Sequence, residues 1–207
     1  MPNFSYESAV LKKGFECVGG VDEAGRGPLA GPVVAAAVVL KKIKFKNRID
    51  DSKLLSASQR EKAYYEITQN SFFGTGIICE KIIDTLNILR ATRLAMENAI
   101  YSCVHKIKGV ERLSFLIDGT NIALDIPYKF QCIIGGDSKS LSIACASIIA
   151  KVTRDRIMQI YDKVYPEYGF KQHKGYGTRE HILNLKKAGV SAIHRRSFYP
   201  VSLMCNA

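Results

Sequence analysis

The chain carries, near its start, the sequence Val18-Gly19-Gly20-Val21-Asp22-Glu23-Ala24-Gly25-Arg26-Gly27-Pro28. Its first part is a short apolar segment typical of a buried strand, and its glycines and proline end that strand in a tight connection. Two acids, Asp22 and Glu23, stand side by side at the junction. Because successive strand side chains point to opposite faces, the two acids can share a site only where the chain bends, and we expect the glycines to supply that bend. A charged turn without chemical function would have the same sequence.

Apolar segments of strand length recur along the chain. We predict strands over 17–21, 33–40, 71–79, 113–117 and 131–134. The second is apolar on both faces, so we expect it to lie centrally in a sheet that is covered on each side. The connection between the first two strands is short enough for antiparallel pairing.

Helical patterns fill the intervals between these strands. We predict helices over about 56–69, over 82–107 as one helix or two joined end to end, from a Ser138 or Ser140 cap to about 164, and from a Thr178 cap through 187. The helix that begins near Ser140 is rich in small residues in its first half, so we expect that half to be buried against the sheet. Residues 1–14 are predicted to form a short helix or arm, and 171–177 a basic loop with glycine hinges.

Acids recur where predicted strands end. Asp22 and Glu23 follow the first strand, Asp118 follows the fourth, and Asp137 comes after two glycines that follow the fifth. Sites in α/β sheets gather at the carboxyl ends of strands, so we expect a cluster of four carboxylates. Taken singly, each acid could instead be a cap at the end of its strand or a turn residue.

Such a cluster favours a divalent metal. Carboxylates a few ångströms apart repel one another and raise each other's pKa unless a cation lies between them. Hard oxygen ligands suit Mg²⁺ or Mn²⁺, and the lack of nearby cysteine or histidine pairs argues against zinc. Two such ions about 4 Å apart can activate a water and stabilise the leaving oxygen in an in-line displacement at phosphorus. The histidines at 105, 173, 181 and 194 show no ligand spacing, so none is assigned to metal.

The net charge points to a polyanionic partner. Thirty basic residues against nineteen acidic ones give a formal charge of +11, which favours nucleic acid over a neutral metabolite, although many basic proteins simply have solvated surfaces. The 207 residues, 47% hydrophobic, fit one domain without an internal repeat or linker. Six cysteines in mostly apolar surroundings, with no Cys-x-x-Cys pair, indicate reduced thiols of a cytoplasmic protein. The longest purely apolar run, 33–40, is too short to span a bilayer.

Several residues are candidates for contact with a nucleic acid. The turn Gly25-Arg26-Gly27 exposes backbone N–H and C=O groups and could read the 2′-OH that distinguishes RNA from DNA, although a plain tight turn has the same pattern. Tyr176, between two glycines and near Lys171 and Lys174, could stack on a sugar or base, or only anchor its loop. Further phosphate candidates, each also explicable as a solvated surface charge, are Lys53, Lys139, Arg195 and Arg196.

Specific segments, in order, carry a resemblance to a known family. They are 22–33, Asp51-Ser52-Lys53, Asn87-Ile88-Leu89 with Ala91-Thr92, Ile117-Asp118-Gly119, 142–155, and His173-Lys174-Gly175-Tyr176-Gly177-Thr178. Over nearly its whole length the sequence resembles ribonuclease HII, the type 2 ribonuclease H of bacteria.

The resemblance implies a fold and an activity. The fold would be an α/β ribonuclease H-like fold with a five-stranded mixed sheet flanked by helices. Within a single domain over 1–207, a catalytic core over about 1–165 would be followed by a helical C-terminal portion, about 166–207, that closes over the substrate. The activity would be a metal-dependent endonuclease for RNA–DNA hybrids and for single ribonucleotides in duplex DNA. Cleavage would fall 5′ of the ribonucleotide and leave 3′-hydroxyl and 5′-phosphate ends.

The resemblance also implies roles for residues. Asp22, Glu23 and Asp118 match metal ligands of the family, and Asp137 matches its fourth acidic position. Gly25-Arg26-Gly27 matches the segment that recognises the 2′-OH at a junction with DNA, and Tyr176 matches the tyrosine that senses the following deoxynucleotide.

The resulting hypothesis is a monomeric cytoplasmic endoribonuclease that uses two Mn²⁺ or Mg²⁺ ions. Two alternatives stay open at this point. One is another nuclease of the same superfold, such as a junction resolvase or an integrase-type enzyme, and the other is a non-catalytic nucleic-acid-binding module.

Overall fold

The computed structural model describes residues 1–205, which form five strands and eight α-helices. The strands are β1 (Cys17–Ala24), β2 (Val33–Leu40), β3 (Ser71–Ile78), β4 (Leu113–Asp118) and β5 (Lys129–Ile133). The helices are α1 (Ser5–Leu11), α2 (Ala57–Gln69), α3 (Glu80–Leu86), α4 (Ile88–Val104), α5 (Leu141–Val164), α6 (Phe170–His173), α7 (Arg179–Ala188) and α8 (Val201–Met204). Short 3₁₀ turns cover Gly136–Ser138 and Pro166–Tyr168.

The strands form one mixed sheet in the order β3-β2-β1-β4-β5. β2 pairs antiparallel with both β1 and β3. β4 pairs parallel with β1, and β5 pairs parallel with β4. The predicted α/β fold with a five-stranded mixed sheet is confirmed. So is the antiparallel pairing of the first two strands.

Helices cover both faces of the sheet. Alternate residues of β2 face opposite layers: Ala35 and Ala37 pack in the cluster that contains α4, and Ala36 and Val38 pack in the cluster that contains α2 and α5. The helix α5 lies directly on β1, since a Cβ at Gly20 would stand 2.1 Å from the carbonyl carbon of Ser142. Glycine at this position therefore lets α5 approach the strand that carries Asp22 and Glu23.

Helix starts follow the predicted caps. The Ser56 hydroxyl accepts a hydrogen bond from the Gln59 amide. In return the Gln59 side chain accepts a hydrogen bond from the Ser56 amide, which completes a capping box. The Ser140 hydroxyl caps α5 by accepting from the Ile143 amide, and the Thr178 hydroxyl caps α7 by accepting from the His181 amide.

The pattern over 82–107 is two helices joined end to end, which is one of the two predicted alternatives, because Asn87 adopts a positive φ of 69° and its side chain caps the first turn of α4. The C-terminal region differs from the sequence predictions. The predicted loop over 171–177 contains most of the short helix α6, and the last helix of the described chain is α8 rather than α7.

The C-terminal portion packs on the connection between β1 and β2. Its apolar cluster combines Leu29 and Ala30 with Phe170, Leu185 and Val201. Positions 206 and 207 of the predicted C-terminal portion lie outside the described residues. Within residues 1–205 the helices include none with the length and apolar character needed to cross a membrane.

Glu7 ties the N-terminal helix to the start of α5. It is fully buried, and its carboxylate accepts hydrogen bonds from the Ser140 hydroxyl at 2.5 Å, the Ser142 amide at 2.8 Å and the Ser142 hydroxyl at 2.7 Å. A negative charge beside a helix N-terminus is favourable. Because Ser140 follows Asp137 by one turn, this contact also supports the segment that carries the last of the acids.

We expect Glu7→Ala to lower the free energy of unfolding by about 2 to 4 kcal/mol, because it leaves three buried donors without their acceptor. Urea unfolding followed by circular dichroism measures the change. The matched control is the exposed Glu167, whose replacement by Ala should cost less than about 0.5 kcal/mol. Equal losses in the two variants would show that the Glu7 contacts are not stabilising.

Candidate active site

The register of the parallel strands brings the first acids together. Val21 of β1 lies opposite Ile117 of β4, so the next residues, Asp22 and Asp118, emerge side by side where β4 ends. Asp137 arrives from the 3₁₀ turn that follows β5. In that turn the Gly136 amide donates a hydrogen bond of 2.6 Å to the Asp118 carboxylate. One carboxylate oxygen from each of the three acids lies within 4.8 Å of the others.

Glu23 reaches the same region by a different route from the one that the sequence suggested. The predicted end of the first strand at Val21 is wrong, because β1 continues to Ala24 and stays paired with β2 through Asp22, Glu23 and Ala24. Neighbouring strand residues point to opposite faces. Glu23 lies outside the group of three acids and pairs with Arg26 at 3.2 Å. Its longer side chain nevertheless lines the same cavity as Asp22 and Asp118.

Burial and mutual repulsion disfavour ionised acids here. Burial raises the pKa of Asp22 well above its ordinary value, and the charges of Glu23 and Asp118 raise it further, although hydrogen bonds from the Ser147 hydroxyl and the Glu23 amide act in the opposite direction. Burial also raises the pKa of Glu23, with partial compensation from Arg26. For Asp137, burial and then the charges of Asp51 and Asp118 raise the pKa, and Lys53 opposes them.

The acids fit a divalent cation. Three carboxylates offer hard oxygen ligands at mutually close range, which suits Mg²⁺ or Mn²⁺. The second oxygen of Glu23, Oε2, is buried and has no hydrogen-bond partner among the described residues. An unpaired buried carboxylate oxygen is costly, and a cation beside it would remove that cost.

The acids open onto a cavity of about 400 Å³. Of the predicted metal ligands it includes all but Asp137, which joins it through the acid cluster. The predicted residues on its wall are Asp22, Glu23, Gly25, Arg26, Gly27, Lys53, Asp118 and Tyr176. Their assignment as ligands and substrate contacts stays a prediction.

A buried arginine shapes the turn Gly25-Arg26-Gly27. Arg195 is fully buried and donates hydrogen bonds to the carbonyls of Gly25 at 2.6 Å, Arg26 at 2.8 Å and Gly31 at 2.9 Å. The expectation that Arg195 is a phosphate contact or a solvated charge is therefore wrong. The turn's carbonyls face inward to this guanidinium, so its amides are the backbone groups best placed to meet a ligand.

Gly25 is required by its conformation and its surroundings. Its φ is 97°, and a Cβ there would lie 2.1 Å from Nε of Arg154. Arg154, itself buried, donates to the carbonyls of Pro32, Ala30 and Lys174. It therefore joins the turn to the loop that carries Tyr176.

Tyr176 stands across the cavity from the turn. Its side chain is half-exposed, and its ring edge is 3.8 Å from the position that a Cβ of Gly27 would take. The Arg154 guanidinium lies 6.0 Å from the ring centroid. The tyrosine and the glycine turn thus face the same space.

The other predicted phosphate contacts occupy different positions. Lys53 lines the cavity and lies 3.5 Å from Asp137 and 3.8 Å from Asp51. Burial acts against its charge, but the carboxylates of Asp51, Asp137 and Asp22 raise its pKa. Lys139 and Arg196 are exposed and do not line the cavity; the Lys139 ammonium donates to the carbonyl of Ile134.

Comparison with known proteins identifies the family. The family model for ribonuclease HII matches residues 19–201. The chain is 51% identical to a ribonuclease HII of Acholeplasma laidlawii (strain PG-8A) over 201 residues, covering 97% of this chain and 96% of the relative. It is 48% identical to a ribonuclease HII of Enterococcus faecalis (strain ATCC 700802 / V583) over 205 residues, covering 96% of this chain and 76% of the relative. The chain belongs to the ribonuclease HII family.

Solved structures show the same fold. The ribonuclease H2 from Pyrococcus horikoshii OT3 superposes with a TM-score of 0.69 at 24% identity, covering 91% of this chain and 96% of that one. Bst-RNase HIII in complex with Mn²⁺ superposes with a TM-score of 0.67 at 15% identity, covering 92% of this chain and 69% of that one.

Membership of the ribonuclease HII family makes this chain a hydrolase, a type 2 ribonuclease H with endonuclease activity. The family depends on divalent metal ions and acts on RNA–DNA substrates. The two alternatives, another nuclease of the superfold and a non-catalytic binding module, are thereby excluded.

Three residues of the cavity were missed by the sequence interpretation. Ser147, Lys151 and Arg154 lie on one face of α5 and line the cavity of this ribonuclease HII family member. Ser147 also lies 3.0 Å from the Ser52 hydroxyl, which links the Asp51-Ser52-Lys53 segment to Asp22. The signal was present in the sequence, because polar residues spaced by four and three share one face of a helix.

Proposed function

We propose that this endonuclease hydrolyses the RNA strand of RNA–DNA hybrids and cuts on the 5′ side of single ribonucleotides in duplex DNA, leaving 3′-hydroxyl and 5′-phosphate ends. The observation that supports the proposal is the shared cavity. Acids that suit a divalent metal, a glycine turn and an exposed tyrosine all meet in about 400 Å³. A nuclease without selection for ribose needs only the first of these.

Asp22, Asp118 and Asp137 would hold Mg²⁺ or Mn²⁺, with Glu23 beside them for a second ion. When bound, the ions supply activation of the attacking water and neutralisation of charge on the phosphate and the leaving O3′. The chain orients these acids through fixed contacts, since Gly136 holds Asp118, and the Ser147 hydroxyl holds Asp22. No protein nucleophile is required.

The turn Gly25-Arg26-Gly27 would read the ribose. The carbonyls of Gly25 and Arg26 are held by Arg195, and the amide groups of the turn would donate to the 2′-OH oxygen. Arg26 also pairs with Glu23 at 3.2 Å. Recognition of the ribose would thus be joined directly to an acid of the catalytic cluster.

Tyr176 and Lys53 would complete the contacts with the strand. The half-exposed ring of Tyr176 is available to pack on the sugar of the following deoxynucleotide. Lys53, whose side chain is 78% exposed, can reach a phosphate while it stays near Asp137.

The proposed C-terminal portion, about 166–207, would close over the substrate. Within the described residues it supplies Tyr176 and packs on the connection between β1 and β2. We propose a monomer of the cytoplasm with both a metal site and a ribose site in one chain.

The test compares three labelled 20-base-pair duplexes: one with a single ribonucleotide, one with an RNA strand opposite DNA, and one of DNA alone. We expect cleavage of the first two with Mn²⁺ or Mg²⁺, no cleavage of the third, and 5′-phosphate ends at the ribonucleotide. Equal cleavage of the all-DNA duplex would contradict the proposal. Products cut on the 3′ side would contradict the assigned position.

The raised pKa values of the acids predict a pH-dependent response to metal. The pKa values of Asp22, Glu23 and Asp137 are raised in the folded state. Without metal, at pH values above the ordinary carboxyl pKa, the folded protein therefore binds more protons than the unfolded protein does. Its stability should therefore fall as the pH rises through the raised values. A metal ion competes with those protons and should stabilise the fold most at high pH.

We expect Mn²⁺ to raise the temperature of thermal unfolding more at pH 8 than at pH 5, measured by differential scanning fluorimetry against a sample with EDTA. In EDTA, the site's contribution to stability should be less favourable at pH 8 than at pH 5. To separate it from the rest of the protein, the same scans are made with Asp22→Asn, which removes one of the titrating groups. A larger effect of Mn²⁺ at pH 5 would contradict the assignment.

A further inference from the structure

Three histidines form a buried cluster that catalysis does not use. His173 at the end of α6, His181 in the first turn of α7 and His194 after α7 are 8%, 0% and 1% exposed. The rings of His173 and His181 stack with centroids 4.4 Å apart, and those of His181 and His194 lie 5.2 Å apart. Phe170 packs an edge or face against all three.

The hydrogen bonds of the cluster fix where its protons lie. Nδ1 of His181 is 2.9 Å from the carbonyl oxygen of Tyr176, so this nitrogen must donate. Nε2 of His181 is 3.0 Å from Nε2 of His194, and Nδ1 of His194 accepts from the Ser191 amide at 3.0 Å. The neutral arrangement that satisfies every partner therefore has His194 donating to His181 and His181 donating to Tyr176.

The cluster's surroundings keep its members neutral. Burial, together with the neighbouring His173, lowers the pKa of His181 to about 4. Burial and the other two histidines lower the pKa of His194 to about 3. Because the imidazoles are neutral, each ring has one donating and one accepting nitrogen, and the donor and acceptor of each hydrogen bond between them are fixed.

The chain of hydrogen bonds ends on the backbone that presents Tyr176. Besides the bond from His181 to the Tyr176 carbonyl, the Tyr176 amide donates to the His173 carbonyl at 2.9 Å. The Gly175 amide donates to Nδ1 of His173 at 3.2 Å, and Nε2 of His173 lies 2.8 Å from the carbonyl of Tyr168. The backbone of Tyr176 is thus held from both sides, whereas its side chain stands half-exposed in the cavity.

We propose that His181, oriented by His194, is a positioning residue for substrate selection: it fixes the Tyr176 backbone so that the ring meets the deoxynucleotide that follows the ribonucleotide. This inference rests on the proposed contact of Tyr176 with that nucleotide. A loosened loop would still fold over the cavity but would place the ring imprecisely. The preference for an RNA–DNA junction over continuous RNA then falls, while the metal site is unaffected.

The experiment measures the ratio of kcat/KM for a single ribonucleotide in DNA to kcat/KM for a strand of continuous RNA opposite DNA. In His181→Leu the ratio should fall about 10- to 100-fold, since small displacements of a positioning group have effects of this size. His181→Asn places an amide donor where Nδ1 lies and should restore the ratio to within about threefold of the unchanged protein, because the bond to Tyr176 is kept. His181→Gln places its amide where Nε2 lies and should behave like His181→Leu.

Circular dichroism and Mn²⁺-induced thermal shifts show whether each variant is folded and keeps its metal site. Should His181→Leu not fold, the Asn and Gln variants carry the test, because both are polar and differ only in which contact they keep. Equal ratios in the folded Asn and Gln variants would overturn the proposal.

Tyr176→Ala separates this inference from the proposed function. If Tyr176→Ala leaves the ratio unchanged, the contact of Tyr176 with the nucleotide fails, and the positioning role fails with it. If Tyr176→Ala lowers the ratio and a folded His181→Gln retains it, only the positioning role is overturned. Losses in both, with recovery in His181→Asn, support it.

Discussion

Asp22→Asn is expected to lower the rate of cleavage about 10³-fold or more and, in the absence of metal, to stabilise the fold. Cleavage falls because the variant loses a charged oxygen from the acids that would hold the metal, which supplies several kcal/mol of transition-state stabilisation. Stability rises because Asp22 is 5% exposed and its ionised form is opposed by burial and by the charges of Glu23 and Asp118. Because no cation lies between these acids in the absence of metal, removing the charge of Asp22 removes both the repulsion and the cost of its burial, so the variant should be more stable.

Single-turnover cleavage of the single-ribonucleotide duplex measures the first effect, and urea unfolding in EDTA at pH 8 measures the second. Asp125→Asn, which changes an exposed acid in the connection between β4 and β5, should alter neither. Cleavage within about tenfold of the unchanged protein would show that Asp22 is not a ligand, since a lost ligand has a larger effect. A loss of stability in EDTA would contradict the account of repulsion among the acids.

The opposite signs of the two effects distinguish a catalytic acid from a structural one. A structural acid accepts hydrogen bonds from buried donors that are left without an acceptor when it is removed, as Glu7 does with Ser140 and Ser142. Asp22 instead lies among other acids, and only a cation makes its charge favourable. A stable but inactive variant would therefore be direct support for a metal site.

The strands could be predicted because the local pattern specifies them. The run Val33–Leu40 was bounded correctly, since it is apolar on both faces and both faces are buried. The sequence left one helix or two open over 82–107 and could not place the break at Asn87, because Ile82, Leu86 and Leu89 keep helical spacing across it. The strand order is equally absent from any local pattern, since it depends on pairing between distant segments.

Convergence of Asp22, Asp118 and Asp137 followed from one rule, that parallel strands end at the same edge of a sheet. The position of Glu23 did not, because whether β1 ends or continues depends on its partners. β4 stops pairing at Val21, whereas β2 pairs through Ala24. The strand therefore continues past the sheet's parallel half and carries Glu23 with it.

Buried polar residues were the main failure of sequence interpretation. Arginine and histidine near the end of a basic chain are ordinarily exposed, because burying them without partners is unfavourable. The partners of Arg195 are backbone carbonyls at Gly25, Arg26 and Gly31, far away along the chain. Carbonyl groups belong to every residue, so no residue type in the sequence could have marked them.

We expect Arg195→Lys to lower the free energy of unfolding by about 3 to 5 kcal/mol and to weaken the selection of the single-ribonucleotide duplex over the all-DNA duplex. Burial, together with the charge of Arg154, lowers the pKa of Arg195 to about 9, so the guanidinium is still charged at pH 7. It satisfies three carbonyls with a planar set of donors and packs 5.0 Å from the centroid of the Phe198 ring. Lysine keeps the charge but replaces the planar guanidinium and its several N–H donors with a single ammonium, which cannot reach all three carbonyls in one geometry.

Urea unfolding measures the loss of stability, and the rates of cleavage of the single-ribonucleotide and all-DNA duplexes measure the selection. Arg196→Lys is the matched control, because Arg196 is the next residue, is exposed and should tolerate the change within about 0.5 kcal/mol. If Arg195→Lys were as stable and as selective as the unchanged protein, the turn would be rigid without its guanidinium. If only stability fell, the turn would still recover its shape when substrate binds. Loss of both would mean that a residue near the end of the chain holds the ribose-reading turn in its binding conformation.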